Sequence, residues 1–300
     1  MVVIAIVFPI LYVAFPTKAQ DEINSADLVV TNQSILSPTA DTFYLEQTIV
    51  LVTSNDDSAT LDAWKASLCL EQQCQYPFAE IDVPKSQAKN DTRLQVSQGV
   101  QIINMTEFDK YTRLALGSEV FNFYLKGKGK LHKGAWPSAN VHYDKEITLK
   151  GLNALNGFNV TAFHIMIPPL ADGTNVNGTV YMPNPSISAY ELGGLALNMS
   201  VDGTPIGTAL LENVFLGPDN HSFPITAITN LTMVAGLVQG QYQTGVLPVD
   251  VVGSSVIYMG QHIPWYEQAL GALPLRVDLN ITPALQQAGL VGSLDIGPPP

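Results

Sequence analysis

Charge is scarce in this sequence. Charged residues make up 13% of 300 positions, against the ~25% of an ordinary soluble domain. The apolar fraction is 46%, ample for real cores. Disorder over most of the chain is excluded, because disorder requires high charge and low hydrophobicity. Bases are scarcer still, 14 against 26 acids, for a net charge of -12. A chain of that sign repels phosphate backbones, which argues against nucleic acid as a partner. Cysteine is reduced to two residues, Cys69 and Cys74, in LCLEQQC. A zinc site would need more ligands close by. Two thiols this close either close a small disulfide loop in an oxidising compartment or form a free buried pair, and the disulfide is preferred.

Signatures of chemistry are also missing. The five histidines, His132, His142, His164, His221 and His262, stand far apart, with no H-x-x-x-H or H-E-x-x-H spacing. Each reads as a surface or capping residue rather than a ligand. Gly253-Ser254-Ser255 lacks the final glycine of a nucleophile elbow, and no phosphate-binding P-loop occurs. Catalytic, metal and cofactor residues are therefore expected to be none.

The one long apolar run is N-terminal, Met1 to Pro16 (MVVIAIVFPILYVAFP), followed by Lys18. It is shorter than the ~20 residues that span a bilayer. It also lacks the basic n-region of a secretory signal. Two readings stay open, an atypical cleaved signal and a truncated signal-anchor, with the anchor preferred. Residues 20–27 (QDEINSAD) then read as a polar stalk.

Glycosylation acceptors are abundant. N-x-S/T occurs at Asn32, Asn90, Asn104, Asn159, Asn177, Asn198, Asn220, Asn230 and Asn280, where chance would give about two or three. The excess points to a chain facing a secretory lumen or the cell exterior. The competing reading is that Asn and Thr are simply common in β-proteins.

What remains is strand pattern. Leu195, Leu197, Met199 and Val201 alternate with Ala196, Asn198, Ser200 and Asp202. That is the two-residue period of a half-buried strand. Asp202-Gly203 supplies a turn into a return strand through Ile206, Thr208 and Leu210. Upstream, Pro183-Asn184-Pro185 makes a corner. Similar alternation runs over Phe43–Val52, Val120–Leu125 and Leu275–Ile281, with a helix predicted after Thr106, its cap, and ended by Gly117. The two halves repeat one order of strand, corner, hairpin, loop, helix-like segment and two strands. The predicted organisation is an apolar segment over 1–19, a first β-sandwich over 20–153, a second over 154–286, and an unstructured tail over 287–300.

The second half, with its Asn-Pro pair, its LALNMSVDGTPIGTA hairpin and the F-P-I-T strand after it, resembles the late-embryogenesis-abundant type 2 domain. The whole chain resembles a fungal family of uncharacterised membrane proteins that carry such domains in tandem behind an N-terminal anchor, a family related to a yeast vacuolar protein of autophagy termination. The resemblance implies an all-β fold of two immunoglobulin- or fibronectin-III-like sandwiches, each with a short helix. It also implies a single-pass endomembrane or vacuolar location with residues 20–300 lumenal or extracellular, and a groove suited to lipid. The first half departs from the pattern, with Ser37-Pro38 in its corner and the Cys69/Cys74 insertion.

One basic segment stands out from an acidic chain, K-G-K-G-K-L-H-K, holding Lys126, Lys128, Lys130 and Lys133. Read as a hairpin, it places the first three lysines on one face, where they would meet anionic headgroups or merely protect a strand edge. Three functions compete: a membrane-anchored lumenal scaffold or interaction module with an unknown protein partner, then a lipid-binding or lipid-transfer module, and last a secreted hydrolase.

Overall fold

The computed structural model describes residues 15–53 and 59–289. The chain divides into two compact units. Of the described residues, the first unit holds those up to Tyr111, Val120–Lys150 and Ile187–Ala189. The second holds Thr112–Glu119, Gly151–Ser186 and those from Tyr190 onward.

In the first unit, helix α1 (Phe15–Ser25) leads into β1 (Asp27–Leu36) and β2 (Thr42–Val52). Short strands β3 (Ala59–Leu61), β4 (Trp64–Cys69), β5 (Ala79–Val83) and β6 (Ser86–Ala88) precede β7 (Thr92–Gln101). Helix α2 (Met105–Gly117) follows, its residues up to Tyr111 belonging to this unit, then the long strands β8 (Val120–His132) and β9 (Ala139–Lys150). Alternation sets the faces: Phe43, Leu45, Gln47 and Ile49 of β2 are buried, and Tyr44 and Glu46 between them are exposed. One antiparallel sheet runs β1-β2-β7, and a second runs β5-β4-β8 with β9 on β8. Their inner faces meet through Phe43, Ile49, Leu68, Ile81, Phe123 and Ile147, all buried. Phe78 and Tyr111 stack at 4.7 Å beside Phe108. The voids between the sheets measure only about 30 Å³ each.

Three expectations for this half are corrected. Residues 20–25 are helical rather than a stalk, because Phe15, Ala19 and Ile23 form one buried face. The amide of Gln20 then completes the ladder of β9: Nε2 donates to His142 O at 2.8 Å, and His142 N donates to Oε1 at 2.8 Å. Lys126–Lys133 is not a hairpin; β8 runs through it to His132 and turns only afterwards. The glycines explain why. The rings of Trp64 and Tyr143 stack at 4.2 Å, and a Cβ on Gly127 would stand 2.2 Å from Trp64 Cζ3. Gly127 and Gly129 face inward beneath these rings, so the strand continues. Finally, Asn104 rather than Thr106 caps α2, accepting from Glu107 N at 3.2 Å.

The second unit contains β10 (Asn159–Ile165), β11 (Val176–Asn184), β12 (Ser188–Val201), β13 (Thr204–Leu216) and β14 (Asp219–Thr229). Helix α3 (Leu231–Gly240), β15 (Val246–Tyr258), β16 (Gln261–His262), α4 (Pro264–Gly271), β17 (Leu275–Asn280) and α5 (Thr282–Gln287) complete it. A single antiparallel ladder runs β10-β11-β14-β13-β12-β15-β17. It curls so that Phe163 on β10 and Leu279 on β17 line one interior. The hairpin turns at Asp202-Gly203, with Val201 opposite Thr204. The Pro183–Pro185 corner is held by buried Asn184: Nδ2 donates to Gly217 O at 2.7 Å, and Oδ1 accepts from Ser186 N at 2.9 Å. Helix α4 buries Trp265 and Tyr266, and the tail predicted from residue 287 is corrected at its start, because Gln287 is the last residue of α5, which buries Ala284 and Leu285. The coarse expectation of a mostly β chain in sandwich-like layers holds. The apolar run up to Ala14 and the tail from residue 290 lie outside the described residues. Among the described residues, no helix is long and apolar enough to cross a membrane.

The Gly127 packing generates a prediction. Gly127→Ala should lower stability by about 1–3 kcal/mol through overpacking against Trp64. Gly99→Ala, where an added Cβ meets nothing within 4 Å, should stay within about 0.5 kcal/mol of the native chain. Equal urea midpoints for the two variants would refute this account.

Candidate functional site

No group of three or more metal-ligating side chains converges among the described residues. The five histidines sit apart. His132 Nε2 lies 2.7 Å from Asp62, His142 is on β9, His164 meets Gln287 at 2.9 Å, His221 meets Gly217 O at 3.0 Å, and His262 lies 2.6 Å from Glu267. The last is the nearest approach to a catalytic arrangement, because Ser255 Oγ is also 3.4 Å from His262. Its geometry is wrong for a triad. Serine and carboxylate both address Nδ1, whereas a relay needs them on opposite ring nitrogens. Glu267 instead ties β15 to α4, accepting from Val256 N at 3.0 Å. Burial would raise its pKa, but the His262, Val256 and Ser255 hydrogen bonds more than offset this and hold it below the ordinary carboxylate value.

Cys69 and Cys74 are joined as a disulfide, with Cα atoms 5.2 Å apart. Of the nine acceptor asparagines, Asn32, Asn90, Asn159, Asn177, Asn198, Asn220, Asn230 and Asn280 are exposed and Asn104 is half-buried. The two buried asparagines among the described residues, Asn175 and Asn184, lie outside the acceptor motif. Asn104 and Asn230 spend their side-chain oxygens capping helices, Asn230 accepting from Met233 N at 3.0 Å. Asn280 accepts from Thr282 N at 3.1 Å at the start of α5.

Lys126, Lys128 and Lys130 share one face of β8, in register with Asp144, His142 and Asn140 of β9. Lys126 is neutralised by Asp144 at 2.9 Å. Lys128 and Lys130 line an open cleft of about 510 Å³ with Asp62, Trp64, Asn140 and His142. Lys133 lies beyond the strand, before the turn into Trp136.

The second unit carries a different concavity. Sheet residues Val160, Phe163, Ile165 and Ile225 face Leu231 and Val234 of α3 and Leu279 of β17 around a cavity of about 90 Å³. Except for Val234, these side chains are only half-buried. The lining contains no charged residue, and threonines are its polar members. Sequence reading missed this groove because Val160, Phe163 and Ile225 look like ordinary core positions; their partial exposure depends on how the ladder curls.

Comparison with known proteins adds little chemistry. Residues 76–199, about two fifths of the chain, match the family described as "Protein of unknown function (DUF3712)". No curated protein matches. Among solved structures, the chain is similar to Northeast Structural Genomics Consortium target SoR45, at 12% identity and a TM-score of 0.25, covering 43% of this chain and 88% of that one. It is also similar to the Salmonella enterica SafA pilin in complex with the SafB chaperone, at 10% identity and a TM-score of 0.22, covering 85% and 96%. A bacterial adhesin from Mobiluncus mulieris gives 6% identity and a TM-score of 0.22, covering 77% and 81%. Scores this low carry no argument about this chain.

The capping role of the acceptor asparagines is testable without a glycan. In a host that does not glycosylate, Asn230→Ala should cost about 1 kcal/mol. Asn159→Ala, on an exposed strand position, should cost no more than about 0.5 kcal/mol. Matching thermal unfolding curves for the two variants would remove the cap from the account.

Proposed function

We propose that this chain is a non-enzymatic binding protein of a secretory lumen, whose second unit takes up one end of an alkyl chain in the groove beneath α3. The observation that carries this reading is the half-exposed apolar lining from Val160 to Leu279, with no charge along it. Apolar surface left in water costs roughly 25 cal/mol per Å², so a contiguous stretch of it favours an apolar occupant. The first unit supplies the contrast. Its comparable interior is lined by fully buried Phe43, Leu45, Phe78 and Phe123 and is closed to such a guest. At about 90 Å³ the cavity lies below the ~300–1,000 Å³ of a pocket for a whole small molecule. The guest inserts a few methylenes and leaves its polar end outside.

The rest of the reading comes from the sequence. The apolar run attaches the chain to an endomembrane, vacuolar in the fungal resemblance, with residues 20–300 on the lumenal side. Tandem sandwiches of the late-embryogenesis-abundant type 2 kind belong to the same proposal. A second reading, a scaffold that meets a protein partner, draws on the exposure of the acceptor asparagines, which suits a glycosylated surface.

Native mass spectrometry of the full chain expressed through a secretory host decides between them. The expected result is one alkyl-chain lipid per chain, lost in Ile225→Asp while the unfolding transition is retained. A folded wild-type chain that carries no lipid after secretion would overturn the lipid reading and leave the scaffold.

A further inference from the structure

We infer that the cleft beside β8 in the first unit is an anion site, in which Lys128 and Lys130 bind a phosphate group. The argument begins with how the charges are distributed. In a chain with 26 acids and 14 bases, a lysine finds a carboxylate easily. Around this face most do. Lys126 pairs with Asp144 at 2.9 Å, Lys65 on neighbouring β4 pairs with Glu80 at 3.6 Å and Asp82 at 3.8 Å, and Lys85 pairs with Asp62 at 3.6 Å. Lys128 and Lys130 have no partner among the described residues, and both are exposed.

The nearby carboxylates are already engaged. Asp62 lines the cleft, but His132 donates to it at 2.7 Å and Lys85 adjoins it. The His132 hydrogen bond, with the charges of His132 and Lys85, holds its carboxyl below the ordinary carboxylate value. Glu146 accepts from Asn122 at 2.6 Å, farther along β9. The two free ammonium groups therefore keep their charge for a ligand.

Register makes the pair a site rather than two isolated charges. Lys128 stands opposite His142 and Lys130 opposite Asn140 on β9. Residues two apart on one strand project from the same face, so Lys128, Lys130, His142 and Asn140 share one side of the β8–β9 pair, and all four residues border one concavity of about 510 Å³. That is within the ~300–1,000 Å³ of small-ligand sites. The strand is fixed from both sides. Gly127 and Gly129 seat it on the Trp64–Tyr143 stack, and Gln20 holds the backbone of His142. An oxyanion with several acceptor oxygens matches this donor set, and ammonium–phosphate hydrogen bonds are among the stronger ones. The phosphate belongs either to a soluble ester or to a lipid headgroup. This inference does not rest on the apolar groove of the second unit.

The test uses the full chain with two probes. Calorimetric titration with pyrophosphate reads the soluble source. Flotation with phosphatidylcholine vesicles, with and without phosphatidic acid, reads the headgroup source. Lys128→Gln/Lys130→Gln should weaken whichever binding is found by about thirtyfold, and Lys89→Gln, at an exposed lysine in the turn between β6 and β7, should leave it unchanged. Pyrophosphate binding lost in the double variant assigns a soluble ligand. A phosphatidic-acid-dependent gain in flotation lost in the same variant assigns a headgroup. Absence of both, or equal loss in Lys89→Gln, overturns the site. Because all three lysines are exposed, unchanged thermal unfolding is expected and separates lost binding from lost fold.

Discussion

A strand with a two-residue period presents one apolar face, and that face must be covered. Each unit of this chain is shaped by how it meets that demand. In the first, two separate sheets press together, and Phe43, Ile49, Leu68, Ile81, Phe123 and Ile147 fill the space. In the second, one ladder of seven strands has to cover itself by curling, so strands from its two ends line a shared interior. A curled ladder widens where the strands diverge, and α3 fills that opening only in part. Helix α3 buries Val234 and Val238 and leaves Met233 exposed. Leucine-rich strands do not by themselves produce a groove; the topology does, by covering one face with a helix that is too small for it.

The β8 segment shows two constraints met by one alternation. Glycine is poor in a strand because it gives no side chain to pack and loses more conformational entropy. Here the two glycines face inward, where the rings of Trp64 and Tyr143 supply the missing contact. The lysines fall on the outer face as a consequence. Packing fixes their spacing. The Trp64 indole N–H and the Tyr143 hydroxyl have no hydrogen-bond partner among the described residues, and burial drives the tyrosine pKa upward. Leaving two polar atoms unpaired has a cost of roughly 1–3 kcal/mol each, so the stack over the glycines must gain more in ring contact than it loses there.

Much of the strand pattern was legible from residues alone. The Leu195–Val201 alternation and the Asp202-Gly203 turn gave β12 and β13, because a two-residue period and a turn signal are local. Three kinds of feature were not. A helix such as α1 reads as a stalk when its apolar positions, Phe15, Ala19 and Ile23, are diluted by polar residues and its partner β9 lies more than a hundred residues away. The K-G-K-G-K run resembles a hairpin, since glycine between charged residues is usually a turn; only the distant Trp64 converts it to strand. Helix α4 follows a two-residue strand, and its Pro264 marks the first helical position, a signal too short to separate from a turn. At the candidate sites, the lysine face could be read from alternation, but which lysines remain unpaired depended on Asp144, Glu80 and Asp82 arriving from other strands.

The cluster at Ser255, His262 and Glu267 is the opposite case, catalytic residue types that a short stretch of chain brings together without the geometry of a relay. Ser255, His262 and Glu267 meet, yet they meet as a brace. Proline at the start of α4 sets the helix close behind the short β15–β16 turn, and the Glu267 carboxylate then reaches back to the Val256 amide. Once committed to that amide, the carboxylate meets the imidazole at the nitrogen that also faces Ser255. A base for serine would have to present its other nitrogen, and turning the ring would break the contact with Glu267. The hydrogen bond that secures α4 is therefore the one that denies this cluster a proton relay.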